Sequence, residues 1–170
     1  MKKLMFIGGI LWVTSACWPT QVGFKDTGGM NEAWKAFVVQ NLTIQAATCP
    51  NNYAPQLTEA IKDGIQNNSR LTLATQAADA QVLISGEITS YQVNPIAIQN
   101  GDNAAKNRLQ VSVEFTITTT SPKTEESRLT ISRFADFNAN ENLASVESGL
   151  LSSINEQIVQ DILNKLMSNW

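Results

Sequence analysis

The sequence predicts an α+β domain, with two helices packed on one face of a mostly antiparallel four- to five-stranded sheet, a two-layer sandwich. Three observations carry that expectation. Leu109, Val111, Val113, Phe115 and Ile117 alternate with Gln110, Ser112, Glu114, Thr116 and Thr118. A period of two with one apolar and one polar set marks a strand that is buried on one face and wet on the other. Leu143, Val146, Leu150, Leu151, Ile154, Ile158, Ile162 and Leu166 recur at helical spacing, with Ser, Asn, Gln and Glu between them. Shorter runs punctuated by turn residues complete the order β-α-β-β-β-β-α.

The elements follow in chain order. Ala36 to Ile44 carries Phe37, Val38, Val39, Leu42 and Ile44, and its broken alternation at Gln40-Asn41 implies a bulge or kink. Cys49-Pro50-Asn51-Asn52 is a turn cluster, after which Pro55 opens a helix at a position where its missing N–H costs nothing. Leu57, Ala60, Ile61, Gly64 and Ile65 form that helix's apolar stripe, and Asn67-Asn68-Ser69 ends it. Leu71 to Thr75 reads as a short strand. Gln81 to Val93 is a longer one, with Val82, Ile84, Gly86 and Ile88 on one face and Asn94-Pro95 as its stop. The alternating run at 109–118 and a strand from about Ser127 to Phe134 flank Ser121-Pro122-Lys123-Thr124, and so form a hairpin. The final helix runs from about Asn142 to Met167.

The N-terminus has a different character. Lys2 and Lys3 precede an apolar run from Leu4 to Val13, and Thr14-Ser15-Ala16 leads into Cys17. That order is a secretory signal, and the run is about half the ~20 residues a membrane-spanning helix needs. Small residues directly before a cysteine fit lipoprotein processing at Cys17, although Thr14 stands where an aliphatic residue is usual. An ordinary signal peptide with an incidental cysteine is the alternative. The expected organisation is a signal peptide over 1–16, a lipidated tether over 17–35 and one domain over 36–170. Without Lys2 and Lys3 the chain carries 10 basic and 15 acidic residues, a net of −5, which argues against nucleic acid as a partner. With Cys17 acylated, Cys49 is the remaining thiol, so no disulfide framework is expected. A half-buried loop cysteine and a reactive thiol are both readings of Cys49.

The chain has no histidine, which removes the commonest general base and metal ligand. No glycine-rich phosphate loop is present, and Glu125-Glu126 reads as a solvated hairpin tip. The expectation is therefore a non-enzymatic protein with no metal or cofactor beyond the covalent lipid on Cys17. Lys106, Arg108 and Arg133 lie towards one edge of the hairpin, where a phosphate-bearing ligand would be held. Solvated cations, or pairs with Glu114 and Asp136, are the alternative.

Several stretches together resemble the lipopolysaccharide-assembly lipoprotein family of the LptE type, in its Bacteroidetes-like branch. They are Pro55-Gln56-Leu57-Thr58-Glu59-Ala60-Ile61-Lys62-Asp63, Ser85-Gly86-Glu87-Ile88-Thr89-Ser90-Tyr91-Gln92-Val93, Asn107-Arg108-Leu109, Ser132-Arg133-Phe134-Ala135-Asp136-Phe137 and the terminal helix ending Asn169-Trp170. The resemblance implies an outer-membrane lipoprotein of the lipopolysaccharide transport complex. Such a protein plugs and helps assemble a lipopolysaccharide-translocating β-barrel (LptD type) and binds lipopolysaccharide itself. It also implies anchoring by lipid in the periplasmic leaflet of the outer membrane. Where the enterobacterial branch has basic contact residues, this chain has Gln99-Asn100-Gly101 and Ala144-Ser145. Lys106, Arg108 and Arg133 are the replacements expected to contact lipopolysaccharide. A periplasmic lipoprotein that regulates a cell-wall enzyme is the competing class, and a lipid-anchored hydrolase is the third.

Overall fold

A computed structural model describes residues 29–96 and 105–168. The signal segment, Cys17, most of the tether, Gln99-Asn100-Gly101 and Asn169-Trp170 lie outside the described residues. The elements are β1 (Ala36–Val39), β2 (Thr43–Ile44), α1 (Tyr53–Asn68), β3 (Thr72–Leu73), a 3-10 turn (Ala77–Asp79), β4 (Val82–Ile96), β5 (Lys106–Thr119), β6 (Glu125–Asn138) and α2 (Leu143–Met167). This is the expected order, with the first strand split in two at Gln40–Leu42.

The strand order is β3-β1-β4-β5-β6, and β2 pairs with β4 beyond the end of β1. The three long strands pair antiparallel, while β1, β2 and β3 pair parallel. The sheet is thus antiparallel over its long strands and mixed at its short-strand edge. β1 and β3 flank α1, and such a crossover is the connection that parallel neighbours need.

Both helices lie on the apolar face of the sheet. Leu57, Ile61 and Ile65 of α1 and Leu151, Ile154, Ile158, Ile162 and Leu166 of α2 meet Ile84, Ile88, Leu109, Val111, Val113 and Phe115 in one core. Each such side chain contributes about 1.5–3 kcal/mol by leaving water. The last helix starts where the sequence places it, because the Asn142 side chain accepts from the Ala144 N–H at 3.0 Å. Helix α1 begins two residues before Pro55, which leaves the proline inside the first turn, where its missing N–H still has no acceptor to lose. At the opposite end, Gly29 adopts φ +82°, and a Cβ there would sit 2.1 Å from the Met167 carbonyl oxygen, so only glycine lets the entering chain pass α2.

β4 and β6 run further at their C-terminal ends than expected, and β3 is shorter, Thr72–Leu73 against Leu71–Thr75. β4 runs through Asn94-Pro95 to Ile96, and Pro95 stands opposite Asn107. The Tyr91 carbonyl accepts from the Thr48 hydroxyl, so backbone groups at 91, 93 and 95 face away from β5. The missing donor of Pro95 therefore falls on an open edge, where it breaks no ladder bond. β6 extends four residues past Phe134, because Asp136 and Phe137 each have a partner on β5 to hold them, Arg108 and Asn107.

The register between β4 and β5 slips between Ile88 and Ser90. The extra residue turns Tyr91 onto the face of Ile88 and buries it, an inversion that the alternation of Val82, Ile84, Gly86 and Ile88 does not show.

Candidate functional site

The sheet face opposite the helices is uncovered among the described residues, and it holds two of the three expected cations. Lys106 and Arg108 have the parity of Gln110, Ser112 and Glu114, the polar set of β5. Arg108 stands opposite Asp136 in the β5–β6 register, and its Nε and Nη2 donate to the two carboxylate oxygens at 2.7 and 2.9 Å. The same guanidinium lies 3.5 Å over the ring of Phe134, an aromatic side chain left largely exposed. These hydrogen bonds hold the Asp136 carboxyl below the usual carboxylate range and raise the arginine. The charge of Lys106 adds to the lowering at Asp136. Further along this face, Gln110 and Ser112 both donate to the Ser132 hydroxyl, at 2.9 and 3.0 Å.

Arg133 faces the other way. It is opposite Val111 and shares the parity of Leu129 and Ile131, so it emerges on the helix side. There it forms a two-pronged pair with Asp161 of α2, at 2.6 and 2.5 Å. Arg108 and Arg133 are close along the hairpin but on opposite faces of the sheet, and each is held by a carboxylate. The three cations thus divide into an outer pair, Lys106 and Arg108, and an inner strut, Arg133–Asp161. Ala144 and Ser145, at the place of one basic contact in the enterobacterial branch, are exposed in the first turn of α2.

A polar cluster that sequence reasoning missed closes the end of the core near the β4 bulge. Tyr53 donates to Asn155 at 2.9 Å, Tyr91 donates to Glu147 at 2.5 Å, and the two rings meet edge to face with centroids 6.2 Å apart. Burial, and for Tyr91 the bond to Glu147 next, push both phenols well above their ordinary value. Cys49 lies beside them, buried, and its thiol is pushed up to about 11 by burial first and by Glu147 second. A thiol so disposed is protonated and inert at neutral pH, as befits packing rather than chemistry. The buried tyrosines could have been suspected from Tyr53 in the α1 stripe, but Tyr91 is legible only once the bulge is known.

Among the described residues, no group of three or more carboxylates and thiols is placed to hold a metal ion. No described helix is long and apolar enough to cross a membrane. A cleft of about 400 Å³ opens where α2 ends short of the hairpin, lined by Trp34, Ile117, Thr119, Glu125, Lys165 and Leu166. A second, shallower groove of about 570 Å³ runs between Leu129–Arg133 of β6 and Asp161, Asn164, Lys165 and Ser168.

Comparison with known proteins places this architecture. The model of the LptE family, described as lipopolysaccharide-assembly, matches residues 39–166. None of the curated proteins matches the chain. Among solved structures, a minor lipoprotein from Acinetobacter baumannii is 13% identical with a TM-score of 0.50, over 79% of this chain and 93% of its own. A protein from Xanthomonas campestris is 8% identical with a TM-score of 0.53, over 82% and 90% of the two chains. A hypothetical protein from Chlamydia trachomatis is 10% identical with a TM-score of 0.51, over 79% and 96%. At these identities the likeness is one of fold.

Proposed function

From the premise that this chain belongs to the LptE family of lipopolysaccharide-assembly proteins, we propose that it is an outer-membrane lipoprotein and the plug and assembly partner of a lipopolysaccharide-translocating β-barrel of the LptD type. The observation that carries the reading is the family match over residues 39–166, which spans every element from the end of β1 to the last turn of α2. The geometry supports it in two ways. Both helices are committed to the core, so the polar face of the long strands is what the domain has to offer a surrounding wall. The chemistry on display is hydrogen bonding and paired charge, with no nucleophile–base pair among the described residues, which suits a binding and structural role rather than an enzymatic one.

The signal peptide over 1–16, the tether over 17–35 and lipidation of Cys17 belong to this proposal. They put the domain on the periplasmic leaflet of the outer membrane, beside the barrel. Lipopolysaccharide carries phosphates, and on the exposed sheet face Lys106 and Arg108 are the cations presented together. Arg133, on the helix side and bound to Asp161, is the less direct contact.

The test is affinity isolation of the full-length lipidated chain from outer membranes. The expected result is a large barrel protein recovered in near-equal amount, with palmitate label lost in Cys17→Ser. Isolation without any barrel, at full expression and correct fractionation, refutes the plug reading. Lys106→Ala with Arg108→Ala should weaken retention on immobilised lipopolysaccharide more than Arg133→Ala does.

A further inference from the structure

Resting on the reading of Lys106 and Arg108 as lipopolysaccharide contacts, we infer that Asp136 is a built-in competitor for phosphate at Arg108. A phosphate of the ligand then binds the outer sheet face by exchange with this carboxylate, and leaves by the reverse exchange.

The fork of Arg108 is already filled. Its Nε and Nη2 donate to the two oxygens of Asp136 at 2.7 and 2.9 Å. A guanidinium takes a carboxylate or a phosphate through the same parallel pair of N–H groups, so the two anions compete for one edge. An anion on the remaining Nη edge would bring a second negative charge to a cation that Asp136 already neutralises, and the two anions would repel at close range. Lys106 stands in the next pair of this face, opposite Asn138, and its charge acts on the same carboxylate. Glu141 is engaged elsewhere, accepting from the Asn138 N–H at 2.8 Å in the turn before α2.

The pair is placed for exchange more than for holding the fold. Arg108 and Asp136 stand directly opposite in a ladder of two 14-residue strands without a register slip, so β5 and β6 stay together without it. The two side chains are 33% and 32% exposed, and an ion pair so open to water adds little stability. Arg133–Asp161 differs, because it ties β6 to α2. Phe134 gives Arg108 a second seat, with the guanidinium 3.5 Å over its ring and the ring itself 45% exposed. The ring quadrupole attracts the cation whichever anion fills the fork, so Arg108 keeps its place while Asp136 swings aside. Each exchange trades one charge-assisted pair for another. Binding is therefore weaker than an empty fork would give, and release strands no unpaired arginine. A protein that accepts a ligand and passes it on needs both.

The test is the affinity of the full-length lipidated chain, purified in detergent, for lipopolysaccharide and for the same material stripped of its phosphates. Asp136→Asn keeps the side-chain shape and gives up the charge. It should tighten binding to intact lipopolysaccharide by roughly fivefold and leave binding to the stripped form unchanged. In an Arg108→Ala background the same substitution should gain about twofold or less, because no fork is left to free, whereas a gain from net charge alone would persist. Inorganic phosphate at matched concentration should displace neither protein from lipopolysaccharide. Circular dichroism checks the fold, and Asp136→Ser repeats the measurement should the first variant unfold. Unchanged or weaker binding in a folded Asp136 variant, an equal gain without Arg108 or without ligand phosphate, or displacement by inorganic phosphate would each overturn the inference. If Arg108→Ala with Lys106→Ala leaves binding untouched, the contact reading fails and takes the competitor with it. If that pair weakens binding while Asp136→Asn does not strengthen it, the competitor alone fails.

Discussion

Gly64 of α1 packs closely against Val159 of α2, and a single methyl group there tests the packing. A Cβ at Gly64 would lie 2.2 Å from Val159 Cγ1 and 3.3 Å from its Cβ and Cγ2. Carbon atoms rest about 3.5–4.0 Å apart, so Gly64→Ala demands a shift of roughly 1.5 Å. Val159 cannot swing aside cheaply, because a β-branched side chain in a helix has essentially one χ1 rotamer. Overpacking of this kind costs about 1–3 kcal/mol, against a helix-propensity gain of about 0.8–1.0 kcal/mol for alanine over glycine. A contact of 2.2 Å puts the cost in the upper part of that range, about 2–3 kcal/mol, so the net should be destabilisation by roughly 1–2 kcal/mol, or a fall in Tm of about 2–8 °C for a chain of this size. The assay is thermal and urea unfolding of the Cys17→Ser protein. Val159→Ala removes both offending methyls, so in that background Gly64→Ala should become stabilising by about 1 kcal/mol, an interaction energy of roughly 2–3 kcal/mol between the two sites. A rise in Tm for Gly64→Ala alone, or additive effects in the double variant, refutes close packing of α1 on α2 at this point.

Three further expectations follow from the same coordinates. Gly149 lies inside α2 with nothing within 4 Å of a built Cβ, so Gly149→Ala should raise stability by about 0.5–1 kcal/mol, measured by urea midpoint. Cys49, with its thiol pushed up to about 11, should react with a disulfide reagent at pH 8 roughly 100-fold or more slowly than in the unfolded chain; equal rates would deny its burial. Asp136 is lowered chiefly by its hydrogen bonds to Arg108, so its contribution to stability is complete above the free carboxylate value near 4 and is lost as pH falls through the lower folded value. Arg108→Gln should move the carboxyl titration of Asp136, followed by NMR, back up to the ordinary range, and an unmoved midpoint would exclude the pair.

Much of this fold was legible because its longest elements obey one period throughout. The alternation from Leu109 to Thr118 and the α2 stripe from Leu143 to Leu166 each bury one face against the other, and the gap at Gln40-Asn41 is the place where β1 gives way to β2. The failures have local causes. Proline reads as a strand stop in sequence, yet the side of the strand on which its missing N–H falls depends on pairing, and for Pro95 that side is open. Tyr91 escaped notice because a one-residue bulge inverts the parity of everything after it. Arg108 and Arg133 were set together by distance along the hairpin, yet parity already separates them, since Arg133 keeps step with Leu129 and Ile131 and Arg108 with Gln110 and Ser112. That signal was in the sequence, and reading it needs only the rule that alternate residues of a strand change face.

Among the described residues the sheet face opposite the helices is left open, and its chemistry bears on how a barrel partner would hold it. The exposed sheet face is largely satisfied by its own bonds, with Gln110 and Ser112 on Ser132 and Arg108 on Asp136. Stripping water from such a face gains little, because each polar group would exchange one good partner for another. A face of that type suits the polar, water-filled interior of a large barrel better than a dry interface. On the barrel reading, the sheet face would fill the lumen with modest affinity, through many small polar contacts of which none dominates. Substitutions spread over the Ser and Thr residues of the sheet face should then weaken retention in the barrel gradually, with no single one releasing the domain.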